Sequence, residues 1–137
     1  WSKCVKCNAV LYRAELDRNL EVCPKCSHHM RTRARTRLEY FLDAEPRVEI
    51  GAGILPVDKL KFRDTKKYKD RVVATQKNTG LKDAIRTAKG KLDGIDFVVA
   101  AMDFGFIGGS MGSVMGEKIA RAIDEAIKLK APFMIMS

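Results

Sequence analysis

A chain of 137 residues, 46% apolar and 31% charged, can hold one modest core and a small appended module, with no apolar run of membrane-spanning length. Nor does the start of the chain, Trp1-Ser2-Lys3 followed at once by a cysteine motif, have the layout of a secretory signal, so the expected setting is the cytoplasm. The net charge of +9 is unevenly spread: residues 1–37 carry +6, 38–58 carry −4, 59–91 carry +9 and 92–137 carry −2. Two basic blocks flanking an acidic one attract polyanions, whether nucleic acid or the phosphates of a nucleotide-bearing cofactor, or form a solvated face.

Residues 1–28 are organised by Cys4, Cys7, Cys23 and Cys26. Two residues between the cysteines of each pair let both thiolates turn to one ion, and two such knuckles complete a tetrahedral site of four sulfurs. Disulfides, an iron–sulfur cluster and redox thiols are the rival readings. Zinc is favoured, and with all four positions filled it has no open site for a water nucleophile, so its role is structural. Lys3, Lys6 and Lys25 offset the charge of four thiolates. His28 and His29 lie close to the last cysteine but are not needed as ligands. The stretch between the pairs reads as short strand and turn, a module without its own core.

Met30, Ala34, Leu38, Phe41 and Leu42 recur at helical spacing, which predicts an amphipathic linker helix over residues 29–43, with Arg31, Arg33, Arg35 and Arg37 distributed around it. A short strand is expected at residues 47–50, and glycines at 51 and 53 with Pro56 then break the chain. Thr65 is a candidate cap for a helix running to about Lys77 and ending near Gly80. The expected organisation is a ribbon at 1–28, a linker helix and short strand at 29–58, and the N-terminal part of a larger domain at 59–137.

Asp93-Gly94 is the two-residue signal of a tight hairpin whose arms are residues 84–92 and 95–102. The second arm is apolar without alternation, as a strand covered on both faces would be. A glycine-rich turn at residues 105–112 then leads into a helix with the stripe Met115, Ile119, Ala122, Ile123, Ala126 and Ile127. Pro132 stops it, and residues 133–137 begin another apolar strand. Strand, strand, helix, strand implies a parallel pair joined by a crossover, hence an α/β class. The turn fits neither the dinucleotide fingerprint nor a phosphate-binding P-loop. Glycines ahead of a helix can present backbone amides to a phosphate or carbonyl oxygen, or simply pack tightly. No nucleophile, base and orienting group can be assembled, which excludes hydrolytic chemistry of the triad type.

Four segments read together carry a resemblance: residues 11–26 (LYRAELDRNLEVCPKC) with His28 and His29, 60–71 (LKFRDTKKYKDR), 76–84 (QKNTGLKDA) and 108–119 (GGSMGSVMGEKI). In this order they resemble the carboxyltransferase β subunit of the multi-subunit bacterial and plastid acetyl-CoA carboxylases. The resemblance implies a four-cysteine zinc ribbon followed by part of a crotonase-type ββα spiral. It further implies transfer of a carboxyl group from carboxybiotin, on a biotin carboxyl carrier protein, to acetyl-CoA, giving malonyl-CoA for fatty-acid synthesis, in an α2β2 complex with an α subunit. Backbone amides hold the enolate in such chemistry, and the family's paired-glycine segment that supplies them is expected after Ser137. No catalytic residue is therefore assigned, and the 137 residues alone are expected to be inactive. Gly108, Gly109, Ser110, Met111 and Gly112 match the turn on the acyl-CoA side. A nucleic-acid-binding zinc ribbon is the competing reading, from the basic blocks.

Overall fold

A computed structural model describes all residues Trp1–Ser137, which divide into two compact units, Trp1–Thr32 and Arg33–Ser137.

In the first unit, β1 (Ser2–Lys3) pairs antiparallel with β2 (Val10–Leu11), and a six-residue helix α1 (Arg13–Arg18) follows. The sequence reading expected strand and turn at α1. The helix forms because Arg13 reaches Asp17 one turn on and Leu16 drops into the interior. Arg13 also pairs with Glu21, tying the helix to the approach of the second knuckle. The ribbon does possess a small core, contrary to expectation: Leu11, Leu16, Cys4 and Cys23 are buried together, with Ala9, Cys26 and Met30 against them.

The second unit begins with α2 (Ala34–Phe41), then β3 (Val48–Ile50), α3 (Tyr68–Thr79), β4 (Ile85–Leu92), β5 (Ile95–Met102), α4 (Ser113–Leu129) and β6 (Phe133–Met136). The four strands form one sheet in the order β3-β4-β5-β6, antiparallel except for the parallel pair β5 and β6 that α4 connects. Leu92 pairs with Ile95, so Asp93 and Gly94 alone make the hairpin turn, both at positive φ. Asp43 accepts hydrogen bonds from both turn amides, at 3.0 and 2.9 Å.

The apolar run of β5 has a direct cause. Val99 and Ala101 face a layer made with Ala34, Leu38 and Leu42, while Ala100 packs with Ile85, Met115 and Phe106, and Val98 with Ile50, Ala122 and Ala126. Successive side chains thus meet α2 on one face of the sheet and α4 on the other. The helix read over 29–43 is observed over Ala34–Phe41, and it packs on β4 and β5 with Phe41 edge-on to Phe97.

Two further expectations are corrected. Thr65 does not cap α3; Lys67 occupies the cap position, and Asp64 instead folds the approach by accepting the Lys66 amide and pairing with Arg71. The buried line of α4 is Val114, Met115, Lys118, Ala122 and Ala126, whereas Ile123 and Ile127 are exposed. Alanines at 122 and 126 let the helix approach the sheet closely, and this rotates the two isoleucines outward.

Candidate metal centre and groove

The four cysteines converge. Their sulfurs all lie within 4.8 Å of one another, with Cys4 Sγ to Cys26 Sγ at 3.7 Å and Cys7 Sγ to Cys23 Sγ at 3.8 Å. Disulfide sulfurs stand about 2.05 Å apart. Four sulfurs about 2.3 Å from a zinc ion define a tetrahedron with edges of about 3.8 Å. The spacing therefore fits the metal, not a disulfide.

The two knuckles are built alike. Cys4 N donates to Ala9 O and Asn8 N to Cys4 O; Cys23 N donates to His28 O and Ser27 N to Cys23 O. Asn8 and Ser27, each directly after the second cysteine of its pair, adopt positive φ. This left-handed step closes each loop and points both thiols of a pair inward. Backbone amides, chiefly that of Cys7, hold the Cys4 thiol down at about 6, whereas burial pushes Cys26 up to about 12. Four thiols this close cannot all ionise without a cation among them, and a bound dication removes that conflict. His28 and His29 are outside the cluster; they contribute backbone, His28 through its carbonyl and His29 through a bridge to Val22.

In the second unit, the glycine-rich turn leaves β5, makes a 3₁₀ turn at Ile107–Gly109 and enters α4. Gly108 and Gly109 have φ of 65° and 78°, a region costly for other residues. Ser110, Met111 and Gly112 line a groove of about 470 Å³ with Val57, Asp58, Lys59, Leu60, Phe62, Tyr68 and Ser113. Gly108 and Gly109 do not line it. The walls are mainly apolar, and Leu60 and Met111 are 87% and 78% exposed. Burial, with Asp83 and Asp58 nearby, raises the Tyr68 phenol above its usual range. A Cβ on Gly112 would lie 3.5 Å from the Tyr68 hydroxyl.

The loop that forms the opposite wall is shaped by Asp58, which accepts the Phe62 amide at 3.0 Å, and it carries Lys59, Lys61 and Arg63. Exposed apolar walls beside a row of cations suit a ligand with an apolar or neutral arm and an anionic end. The loop lies within the basic block at residues 59–91 that the sequence marks for polyanion phosphates, but nothing in the sequence marks Leu60 and Phe62 as an apolar wall. The loop lacks periodicity, and only the fold brings it opposite the turn.

A zinc ribbon followed by a strand–strand–helix–strand α/β unit with a glycine turn ahead of its helix defines a class. The acetyl-CoA carboxylase zinc finger domain matches residues 1–26 and the carboxyl transferase domain matches residues 55–137; the chain belongs to the carboxyl transferase family. The two matches in this order agree with the N-terminal portion of an acetyl-CoA carboxylase carboxyltransferase β subunit.

Solved structures with the same fold include a transcarboxylase 12S with hydrolysed methylmalonyl-coenzyme A bound, at 26% identity and TM-score 0.56, covering 77% of this chain and 18% of that one. A single-chain, multi-domain long-chain acyl-CoA carboxylase matches at 21% identity and TM-score 0.59, covering 77% of this chain and 10% of that one. The β subunit of a P. aeruginosa geranyl-CoA carboxylase matches at 18% identity and TM-score 0.54, covering 90% of this chain and 19% of that one. The chain thus spans less than a fifth of the length of each. No helix is long and apolar enough to cross a membrane.

Proposed function

We propose that these residues belong to the β subunit of a cytoplasmic acetyl-CoA carboxylase complex, whose carboxyltransferase moves a carboxyl group from carboxybiotin to acetyl-CoA. The observation that carries this reading is the pairing, in one chain, of an acetyl-CoA carboxylase zinc finger with a carboxyl transferase domain. The ribbon is the discriminating part, because the carboxyl transferase family also serves other acyl-CoA carboxylases.

The groove at Ser110, Met111 and Gly112 takes the acyl-CoA side. Lys59, Lys61 and Arg63 would meet coenzyme A phosphates, and the apolar walls the pantetheine arm. The 26% identical transcarboxylase holds a coenzyme A derivative, which supports that ligand class. Carbanion chemistry of this kind needs preorganised amide donors and no side-chain nucleophile. An α subunit and a biotin carboxyl carrier protein are the partners, and malonyl-CoA for fatty-acid synthesis is the product. The test is malonyl-CoA formation by a carboxyltransferase complex whose β subunit contains residues 1–137 together with the paired-glycine segment, with propionyl-CoA and geranyl-CoA as competing substrates. At least tenfold preference for acetyl-CoA is expected; equal or better use of a longer acyl group would overturn the assignment.

One observation favours a second role for the ribbon. Trp1 and Tyr12 stand with ring centroids 5.5 Å apart on its surface, near Lys3 in sequence and on a unit of positive charge. Exposed rings with neighbouring cations suit stacking on single-stranded nucleic acid. Binding of a single-stranded oligonucleotide that weakens steeply with salt, and that Trp1→Ala reduces, would support it; salt-independent binding, or none, would remove it.

A further inference from the structure

Asp103 follows β5 directly, at the head of the glycine-rich turn, and its side chain is only 3% exposed. An isolated carboxylate in such a place is strongly disfavoured, so its partners define its role. Oδ1 accepts the Gly105 amide at 3.0 Å. Oδ2 accepts the Ala34 amide at 3.2 Å, the first residue of α2, and lies 3.2 Å from Arg33 Nε. Arg33 in turn donates to the Thr79 carbonyl at the end of α3. The backbone of Asp103 is used as well: its amide donates to Ala84 O at 2.7 Å, and its carbonyl accepts from Phe106, whose own carbonyl accepts from Gly109.

One carboxylate therefore joins the end of β5, the start of α2 and, through Arg33, the end of α3, and it fixes the first step of the turn. The fit is close. A Cβ on Gly105 would stand 3.0 Å from Asp103 Oδ1 and 3.4 Å from Arg33 Nη1, so any other residue there would press on the carboxylate and force it to shift by a few tenths of an ångström. From Gly105 the chain runs through the Phe106 and Gly109 hydrogen bonds to Ser110, Met111 and Gly112 on the groove wall.

We propose that Asp103 is the positioning residue of the groove: its buried carboxylate sets the path of residues 105–109 and thereby the placement of Ser110, Met111 and Gly112. Its value for ligand binding rests on the acyl-CoA reading of that groove, but its effect on the turn does not. Asn is the informative replacement, since its amide retains one acceptor but turns two donors toward positions where Asp103 meets only donors. The Arg33 attraction is lost with the charge.

The experiment is amide hydrogen exchange on the 137-residue chain and on Asp103→Asn, read at residues 105–109 and in the hairpin arms, alongside equilibrium binding of acetyl-CoA. The expected result is at least a tenfold loss of protection at Gly105 and Gly109 with the hairpin arms unchanged, and at least a tenfold loss of acetyl-CoA affinity. Should Asp103→Asn fail to fold, Arg33→Gln is read in the same way, because it leaves the Ala34 and Gly105 hydrogen bonds in place; a smaller loss of turn protection is expected. Unchanged protection of the turn in a folded Asp103→Asn chain overturns the proposal. Gly112→Val, which narrows the groove against Tyr68, separates the two ideas: if it leaves acetyl-CoA affinity unchanged while Asp103→Asn still loosens the turn, the groove reading fails and the positioning role stands.

Discussion

Lys118 on α4 donates to the carbonyl of Ile85 on β4 across 3.0 Å, with only 3% of the residue exposed, so an ammonium pins the central helix to the sheet from inside. Burial lowers its pKa from 10.5, opposed by Glu49 and Asp83. The unfolded chain keeps this proton until about pH 10.5 while the folded chain releases it earlier. The unfolded state thus binds more protons in that interval, and stability rises with pH there. Urea unfolding of the zinc-bound chain, repeated from pH 7 to above pH 10, is expected to show this gain, and Lys118→Met to lack it. The same slope in both chains would contradict the assignment.

Asp43 holds the hairpin from outside by accepting the amides of Asp93 and Gly94, while its own amide donates to Lys91 O. Removing an acceptor shared by two donors at a partly exposed turn is expected to cost about 1–2 kcal/mol. Asp43→Ala should lower the urea midpoint accordingly, and Asp43→Asn, which keeps an acceptor oxygen, should recover part of the loss.

Gly90 and Gly53 make a matched pair for testing close packing. A Cβ on Gly90 would lie 3.1 Å from Pro46 O and 3.2 Å from Leu42 Cδ1, whereas one on Gly53 would meet nothing within 4 Å. Gly90→Ala is expected to destabilise by about 1–3 kcal/mol through overpacking. Gly53→Ala is expected to be neutral or to stabilise by about 0.4–1 kcal/mol, because it restricts only the unfolded chain. Equal effects at both positions in thermal unfolding would show that the backbone packing at Gly90 is looser than described.

What could be read from sequence divides along a physical line. The hairpin, the β5 interior and the cysteine site depend on residues close in sequence with a fixed period or spacing, and each is found where expected. The contributions of α1, Asp64 and Lys118 depend on pairings with particular partners, Asp17, Arg71 and Ile85, that periodicity does not report. Reading α4 by hydrophobicity alone put Ile123 and Ile127 in the buried stripe beside Ala122 and Ala126, yet the sheet selects for close approach and takes only the alanines. The groove is the extreme case. Its two walls, residues 57–62 and 110–113, are about fifty residues apart and carry no common pattern.

The ribbon is expected to hold one zinc ion per chain, retained through purification without added metal. Chelation, or Cys23→Ser, should unfold the Trp1–Thr32 unit, whose small core includes two of the ligands, and leave the Arg33–Ser137 sheet intact. Metal analysis with far-ultraviolet circular dichroism checks both. Inorganic sulfide, or less than about half an equivalent of zinc, would point to a different centre.

Binding of acetyl-CoA to the 137-residue chain, titrated at two salt concentrations beside acetyl-pantetheine, tests the acyl-CoA reading most directly. Saturable binding is expected that weakens with salt, exceeds that of the phosphate-free analogue, and falls at least tenfold in Met111→Glu and in Lys59→Glu, whose side chains line the groove. Affinity that ignores salt and both substitutions, or no saturable binding at all, would contradict the account.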